Sequence, residues 1–393
     1  MEMLKTAWGE VELARYPADA REQLRAWDAA DAYALTHLAE TGVDLGGRVV
    51  VLGDRWGALT TALALSSAAR PGAAEPSGHR LTQVCDSFLG QQATRANLRQ
   101  NAPDARVRLL STRDTPPERV DVLVVRVPKS LALLEDQLHR IAPALHRDTL
   151  VVGAGMVAEI HTSTLRLFER IVGPTRTSLA VRKARLILST PAPGTARGRN
   201  PWPLTYTLPD GIGAMSGRGV TNHAGVFCAD RLDIGTRFLL QHLPQRQGHD
   251  RVVDLGCGNG IVGTAAALAN PDSDVLFVDE SHQAVASAEA TFRENAGAAA
   301  KAEFLVGDAL TAVPAQSADL VLNNPPFHSH RATSDATARR MFGTARAALR
   351  PGGELWVIGN RHLGYHLRLR RLFGGCDVIA SDPKFVVLRA VRR

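Results

Sequence analysis

The sequence predicts an α/β protein made of two tandem domains, each a doubly wound parallel sheet covered by helices. Three observations carry this. The chain has 393 residues, more than one compact core of ordinary size holds. Short apolar runs alternate with helical stretches along most of it, the pattern of parallel strands joined by crossover helices. The third observation is an internal echo. Residues 47–63 read GRVVVLGDRWGALTTAL, and residues 250–266 read DRVVDLGCGNGIVGTAA. Each is an apolar strand, a glycine turn and an Ala/Leu-rich helix. The echo returns at nearly equal offset in Asp121 to Lys129, DVLVVRVPK, and Asp319 to Phe327, DLVLNNPPF.

In the first half, an amphipathic helix is expected over residues 21–40. Strands follow near 48–52, 81–85, 106–110, 121–125 and 149–152, with a last one at 183–189. Helices fall near 57–68, 88–99, 130–142 and 157–172. Arg70 to Gly78 reads as an inserted loop. The Pro- and Gly-rich stretch Pro191 to Pro209 reads as a linker. The expected divisions are therefore a first domain at 1–190, a linker at 191–210 and a second domain at 211–393. In the second half a helix is expected over 230–243, and strands near 251–255, 274–279, 302–306, 318–323, 353–359, 376–380 and 385–390. Helices are expected near 261–269, 282–296, 333–349 and 364–373.

Composition narrows the function. Apolar content of 45% and charged content of 22% are those of a globular protein. No apolar run is long enough to span a bilayer. Met1 to Glu10 carries charges where a secretory signal needs an apolar stretch. No membrane partner and a cytoplasmic location are expected. Cys85, Cys228, Cys257 and Cys376 lie far apart without metal-ligand spacing, which predicts neither a metal site nor a disulfide framework. The formal net charge of +7 makes a polyanion a candidate partner. From Arg170 to Pro209 the sequence has no acidic residue, which suits a strap tracking phosphates or a solvated linker.

Only the second half carries a nucleotide-type turn. Asp254-Leu255-Gly256-Cys257-Gly258-Asn259-Gly260 ends a strand and opens a helix, and its glycines let the backbone approach a ligand. Alone, such a turn fits NAD, FAD or simple packing. Two further strand ends add to it. Asp279-Glu280 places a carboxylate where it can accept both ribose hydroxyls. Gly307-Asp308-Ala309 places an acid where an adenine amine would lie. The next strand ends in Asn324-Pro325-Pro326-Phe327. That tetrad favours the methyl donor S-adenosyl-L-methionine over a dinucleotide, because it is suited to hold an exocyclic amine. The Asn324 oxygen and the Pro325 carbonyl can accept the two N–H bonds. The prolines fix the backbone and Phe327 can stack on the base. The expected cofactor residues are Asp254, Gly256, Cys257, Gly258, Asn259, Gly260, Asp279, Glu280, Asp308, Ala309 and Asn324.

The first half departs from this pattern. Val51 stands at the place of Asp254, Arg55 and Trp56 at those of Gly258 and Asn259, Arg126 at that of Asn324, and Lys129 at that of Phe327. The N-terminal copy is expected to lack a cofactor site and to act as a scaffold or an RNA grip. Arg126, Lys129, Arg182, Lys183 and Arg185 are candidate RNA contacts, with Arg331 in the second half. Arg339 and Arg340 are expected, with Arg331, to flank an RNA channel. His328, His330, His362 and His366 read as surface or phosphate contacts. Asn222-His223 and Gly225 to Gly235 read as a cofactor cover or an ordering loop, with Asp230 and Asp233 as acids at the start of the next helix.

Together these residues resemble the bacterial ribosomal RNA guanine-N2 methyltransferases. In the second half the strings LDIGTRFLLQHLP, VVDLGCGNG, FVDES, NNPPFH, GNRHLGY and KFVVLRA carry the resemblance. In the first half AWDAADAY, VRVPKSLALLEDQL and LAVRKARLI do so. The likeness is greater to the large-subunit (23S) enzymes than to the small-subunit (16S) ones. It implies two class I, Rossmann-like methyltransferase domains, the first without a cofactor site. It also implies S-adenosyl-L-methionine as cofactor, a guanine N2 amine as target, and ribosomal RNA or a ribosomal subunit as partner. Gly256, Gly258 and Gly260 would line the cofactor, Asp279 its ribose and Asp308 its adenine, where relatives can carry Asn. Asn324, Pro325 and Phe327 would hold the guanine. A monomer is expected, since duplicated halves can pack on each other. Protein-glutamine and DNA-adenine methyltransferases share such tetrads, and a non-catalytic ribosome-assembly factor is the alternative of another class.

Overall fold

The computed structural model describes residues 3–18, 24–68, 80–192, 194, 197–297, 299–326 and 331–393. The expected insertion Arg70 to Gly78 lies outside the described residues. The chain forms two compact units, Met1–Pro201 and Trp202–Arg393.

The first unit opens with a hairpin of β1 (Leu4–Thr6) and β2 (Gly9–Val11), followed by helix α1 (Ala29–Glu40). Then come β3 (Val49–Leu52), α2 (Ala58–Ala68), β4 (Leu81–Val84), α3 (Phe88–Asn101), β5 (Val107–Leu110) and β6 (Val120–Arg126). They are followed by α4 (Leu131–Ile141), β7 (Leu145–Met156), α5 (Thr162–Ile171), β8 (Thr175–Thr177) and β9 (Ala184–Ser189). The sheet order is β5-β4-β3-β6-β7-β9-β8.

The second unit begins with a hairpin of β10 (Leu204–Thr207) and β11 (Gly219–Asn222), then α6 (Ile234–Leu240). Next come β12 (Arg251–Leu255), α7 (Ile261–Ala269), β13 (Asp274–Asp279), α8 (His282–Asn295), β14 (Lys301–Val306) and β15 (Ala318–Asn323). The unit ends with α9 (Arg331–Ala348), β16 (Leu349–Asn360), α10 (Tyr365–Phe373), β17 (Asp377–Ser381) and β18 (Phe385–Val391). Its sheet order, β14-β13-β12-β15-β16-β18-β17, repeats that of the first unit. The register repeats as well, with Leu52 beside Val125 in one sheet and Leu255 beside Asn323 in the other. The echo in the sequence is thus a duplicated fold.

The central strands are largely apolar because helices cover both faces. Val49, Val51, Val122 and Val124 enter one core cluster, and Val50, Leu52, Leu123 and Val125 enter another. Burial of each such side chain contributes about 1.5–3 kcal/mol relative to exposure. In the second unit β13 and β15 pair with opposite edges of β12, so the order reverses there, and open α/β sheets hold their ligands beyond the C-terminal strand ends at such a point.

Three expectations need correction. The sheets are not wholly parallel, because β9 and β18 run antiparallel to their neighbours. Only Asp382 to Lys384 join β17 to β18, which is too short for a parallel crossover. The helix expected over 21–40 starts at Ala29, where the Asp28 side chain caps it and Asp31 completes a capping box. The stretch expected as a linker contains β10, whose Thr-Tyr-Thr run pairs with β11. Among the described residues no helix is long and apolar enough to cross a membrane.

Candidate active site

The glycine turn joins β12 to α7. Gly256, Gly258 and Gly260 have φ of 72°, 54° and 77°. At Gly260 a Cβ would lie 2.6 Å from the Ala288 Cα of α8, so packing alone requires glycine. At Gly258 a Cβ would meet no atom of the described residues within 4 Å. Protein atoms leave that space open, which fits a ligand. The Gly258 N–H donates to Asp279 Oδ2 at 3.0 Å, and the Ser281 N–H donates to Asp279 Oδ1 at 3.0 Å. The Asp279 carboxylate is thereby fixed beside the turn, with Glu280 exposed next to it. Asn259 Nδ2 donates to Asn222 Oδ1 at 2.9 Å, and the His223 N–H donates to Ser287 Oγ at 2.8 Å. These bonds tie the end of β11 to the turn and to α8.

Two expected cofactor residues face elsewhere. Asp254 is buried, and its Oδ2 accepts from the Gly263 N–H at 2.8 Å. It anchors the first turn of α7, which corrects its expected place against the ligand. Burial pushes its carboxyl up to about 8, with the Gly263 bond opposing and the Asp279 charge adding. Cys257 is buried too, and burial first, then the Asp279 charge, pushes its thiol well above the usual range. It is a neutral core residue. Asp308 is 4% exposed and bound by the Arg340 guanidinium, so Arg340 is an inward partner and not the flank expected of it. Ala309 beside it has φ of 45°, a left-handed conformation unusual for a residue with a Cβ.

At the end of β15 two asparagines divide the work. Asn323 is fully buried, and its Nδ2 donates to the Leu255 carbonyl at 2.7 Å, which clamps β15 to β12. Asn324 Nδ2 donates to Thr236 Oγ1 at 3.0 Å. The Thr236 N–H donates to Asp233 Oδ2 at 2.8 Å, and its hydroxyl lies 3.3 Å from the same oxygen. Asn324 Oδ1 is buried and has no hydrogen-bond partner among the described residues. An acceptor left so costs about 1–3 kcal/mol, so the arrangement suits an N–H supplied by a ligand. Pro325 is buried and Pro326 exposed. Phe327, His328 and His330 lie outside the described residues, and Arg331 opens α9.

The corresponding place in the first unit is filled by charge. Arg126 is fully buried and is not available to RNA, which corrects that expectation. Its guanidinium donates to Asp28 Oδ2 at 2.5 Å, Asp31 Oδ1 at 3.1 Å, Glu159 Oε2 at 3.0 Å and the Ala154 carbonyl at 3.3 Å. Arg55, at the place of Gly258, donates to Glu159 Oε1 at 2.6 Å. Burial raises the Glu159 carboxyl, but the Arg55 bond and the Arg126 charge outweigh it and hold it at about 2. Of the other basic candidates there, Lys129, Arg182 and Lys183 are exposed and Arg185 is half-buried. Arg182 and Lys183 have φ of 47° and 64° at the tip of a two-residue turn closed by Val181 and Ala184. Thr236, Asn323 and the pairing of Arg340 with Asp308 escaped the sequence reading. The available signal was Thr236 three places after a capping Asp.

Residues 1–193 match the RLMG N-terminal domain family, and residues 217–389 match the Methyltransferase small domain family. A ribosomal RNA large subunit methyltransferase G of Streptomyces avermitilis is 69% identical over 391 residues, 99% of each chain. Another protein of that name, from Pseudomonas paraeruginosa, is 44% identical over 99% of this chain and 100% of its own. The chain belongs to the ribosomal RNA large subunit methyltransferase G family. The sequence resemblance to the large-subunit branch is borne out. Among solved structures, the T. thermophilus 16S rRNA N2 G1207 methyltransferase, in complex with AdoMet and guanosine, matches with a TM-score of 0.74. It is 20% identical and the match covers 100% of this chain and 98% of that one. At that identity it bears on the fold, which is α/β and of the methyltransferase type in the large subunit methyltransferase G family member described here.

Proposed function

We propose that this chain transfers a methyl group from S-adenosyl-L-methionine to the exocyclic N2 amine of a guanine in 23S ribosomal RNA, in the cytoplasm, using the second unit. Its relatives are named as large-subunit enzymes, and the structural neighbour was obtained with AdoMet and guanosine. The observation that carries the reading is the buried, unpartnered Asn324 Oδ1 at the end of β15, next to the open turn at Gly258.

When bound, S-adenosyl-L-methionine supplies an electrophilic methyl group. Gly256 to Gly260 would hold its amino-acid part, Asp279 its ribose hydroxyls and Asp308 its adenine amine. The target amine is a poor nucleophile because its lone pair is delocalised into the ring. Asn324 Oδ1 and the Pro325 carbonyl accept its two N–H bonds, favour a pyramidal nitrogen and stabilise the positive charge that develops there. Phe327 would stack on the base. Holding the amine in place supplies much of the acceleration. A paired guanine must first be unpaired or turned out of its stack.

The first unit is read as an RNA grip without a cofactor site. Arg55 stands where the turn needs its open glycine, and Arg126 is locked among carboxylates. Lys129, Arg182, Lys183 and Arg185 remain its candidates for phosphate contact, with Arg331 in the second unit.

The test incubates the purified chain with methyl-labelled S-adenosyl-L-methionine and undermethylated 23S or 16S RNA, naked and assembled. Digestion to nucleosides should give labelled N2-methylguanosine from 23S RNA. The same product from 16S RNA alone would overturn the substrate but keep the chemistry. Label on protein, or on no RNA, would overturn both.

A further inference from the structure

We propose that Thr236, held by Asp233, is a positioning residue that decides which end of the Asn324 carboxamide faces the substrate amine. This rests on the reading that Asn324 accepts an N–H bond of that amine. A carboxamide has two ends of nearly equal size, an oxygen that accepts and an NH2 that donates. Only the oxygen can serve a donor amine, so a freely rotating side chain would present the wrong end part of the time.

The surroundings remove that freedom. The Thr236 hydroxyl lies 3.3 Å from Asp233 Oδ2, which already accepts the Thr236 N–H at 2.8 Å. An ionised carboxylate only accepts, so the hydroxyl proton is drawn to it. The Thr236 oxygen then offers lone pairs to Asn324 and matches its NH2, which donates at 3.0 Å. Asn324 Oδ1 is directed away from Thr236, and it is the atom that is buried without a partner. A flipped amide would set two oxygens against each other at Thr236 and turn a donor towards a donor in the site.

The first unit supplies an independent observation. Asp28 and Asp31 occupy the N-cap and third positions of α1, as Asp233 and Thr236 do in α6. They grip Arg126, the counterpart of Asn324, at 2.5 Å and 3.1 Å. Contact from the third helix position to this strand end therefore occurs in both copies, directly from Asp31 in one and from Thr236, held by Asp233, in the other. Only in the second do the residue types leave an acceptor facing outward.

The test measures single-turnover and steady-state methylation of 23S RNA by Thr236→Val, Thr236→Ser and Asn324→Ala, with melting temperature and S-adenosyl-L-methionine affinity for each. Thr236→Val keeps the side-chain shape and removes the acceptor. It should lower kcat up to about 100-fold, the scale of a misplaced reacting group, with KM for RNA, cofactor affinity and melting temperature near those of the parent. Thr236→Ser should restore most of kcat. A fully active Thr236→Val beside an inactive Asn324→Ala would overturn the positioning role. Equal losses of kcat, cofactor affinity and melting temperature, unrescued by serine, would overturn it too. Should Thr236→Val not fold, Asp233→Asn decides. A lower kcat with unchanged melting temperature supports the proposal, and an unchanged kcat overturns it. An active Asn324→Ala would overturn the underlying reading of Asn324 instead.

Discussion

The two units have the same strand order and register, yet they treat one place in opposite ways. In the first, the end of β6 carries Arg126, and three carboxylates close around it. In the second, the end of β15 carries Asn324, one neighbour satisfies its NH2, and its oxygen is left over. The glycine turns show the same division. Gly57 and Gly260 both sit where a Cβ would come within 2.6 Å of a backbone atom of the next helix, so packing preserves both. Gly258 is under no such pressure, and its counterpart is Arg55. The helix anchor also survives in altered form. Asp254 bonds the Gly263 N–H, while Asp54, three places further along its own turn, bonds the equivalent Thr60 N–H at 2.8 Å. The packing glycine and the helix anchor are present in both copies, and the open glycine and the unpartnered asparagine oxygen are found in the second.

The sharpest way to break this comparison is Asn324→Ala. It should lower methylation by at least about 10²-fold, the usual loss for one positioned group that stabilises developing charge. Cofactor affinity should stay near that of the parent, which calorimetry would check. A comparable loss of cofactor binding in a folded variant would move Asn324 from the amine to the cofactor.

Arg126→Met tests the filled copy. It removes the cation and leaves Asp28, Asp31 and Glu159 facing one another around an apolar side chain. Breaking a buried ion pair from one side costs about 3–5 kcal/mol, and urea unfolding of the full chain should show a loss of that order. Cofactor binding by the variant, while it stays folded, should be unchanged. A loss much under 1 kcal/mol would mean that the cluster contributes little to folding.

The two copies also differ in how far they could be read from sequence. The apolar strands, the turn at Gly256 to Gly260 and the Asn-Pro-Pro-Phe run are local patterns, and the structure puts the turn and the described part of that run at the ends of the paired strands β12 and β15. Strands of three or four residues such as β1, β8 and β10 bury too little to leave a periodic signal. Arg126 was misjudged because a positive charge in sequence does not reveal its partner. Asp28 lies 98 residues away along the chain and meets it only through the fold. Thr236 was missed for the same reason, being 88 residues from Asn324. Its place at the third position of a capped helix is visible in sequence, but its target is not.

Gly258→Ala and Gly260→Ala set ligand space against packing. At Gly258 the added Cβ meets no atom of the described residues, so stability should fall only by about 1–2 kcal/mol for the left-handed conformation. Cofactor affinity should fall much more than in Asn324→Ala. At Gly260 the added Cβ runs into the Ala288 Cα, and the unit should lose stability first. Equal affinity loss per unit of stability loss in the two variants would remove the distinction between them.

The last expected effect concerns pH and the helix anchor. Burial raises the folded-state carboxyl of Asp254 to about 8 from an ordinary value of 3.8. Between those values the folded state binds the proton more tightly than the unfolded state does. Stability therefore falls as pH rises from about 4 to about 8, the sign opposite to that of a salt-bridged carboxylate. Glu159 in the first unit has that other sign. Its carboxyl is held at about 2, so its contribution is complete above about 4.5 and is lost as pH falls towards 2. Asp254→Asn keeps an oxygen for the Gly263 N–H and has no proton to lose. Melting curves from pH 5 to 8 should show a shallower decline for the variant than for the parent in the transition of the second unit. Parallel curves would mean that Asp254 is ionised throughout that range and that the bond from Gly263 outweighs its burial.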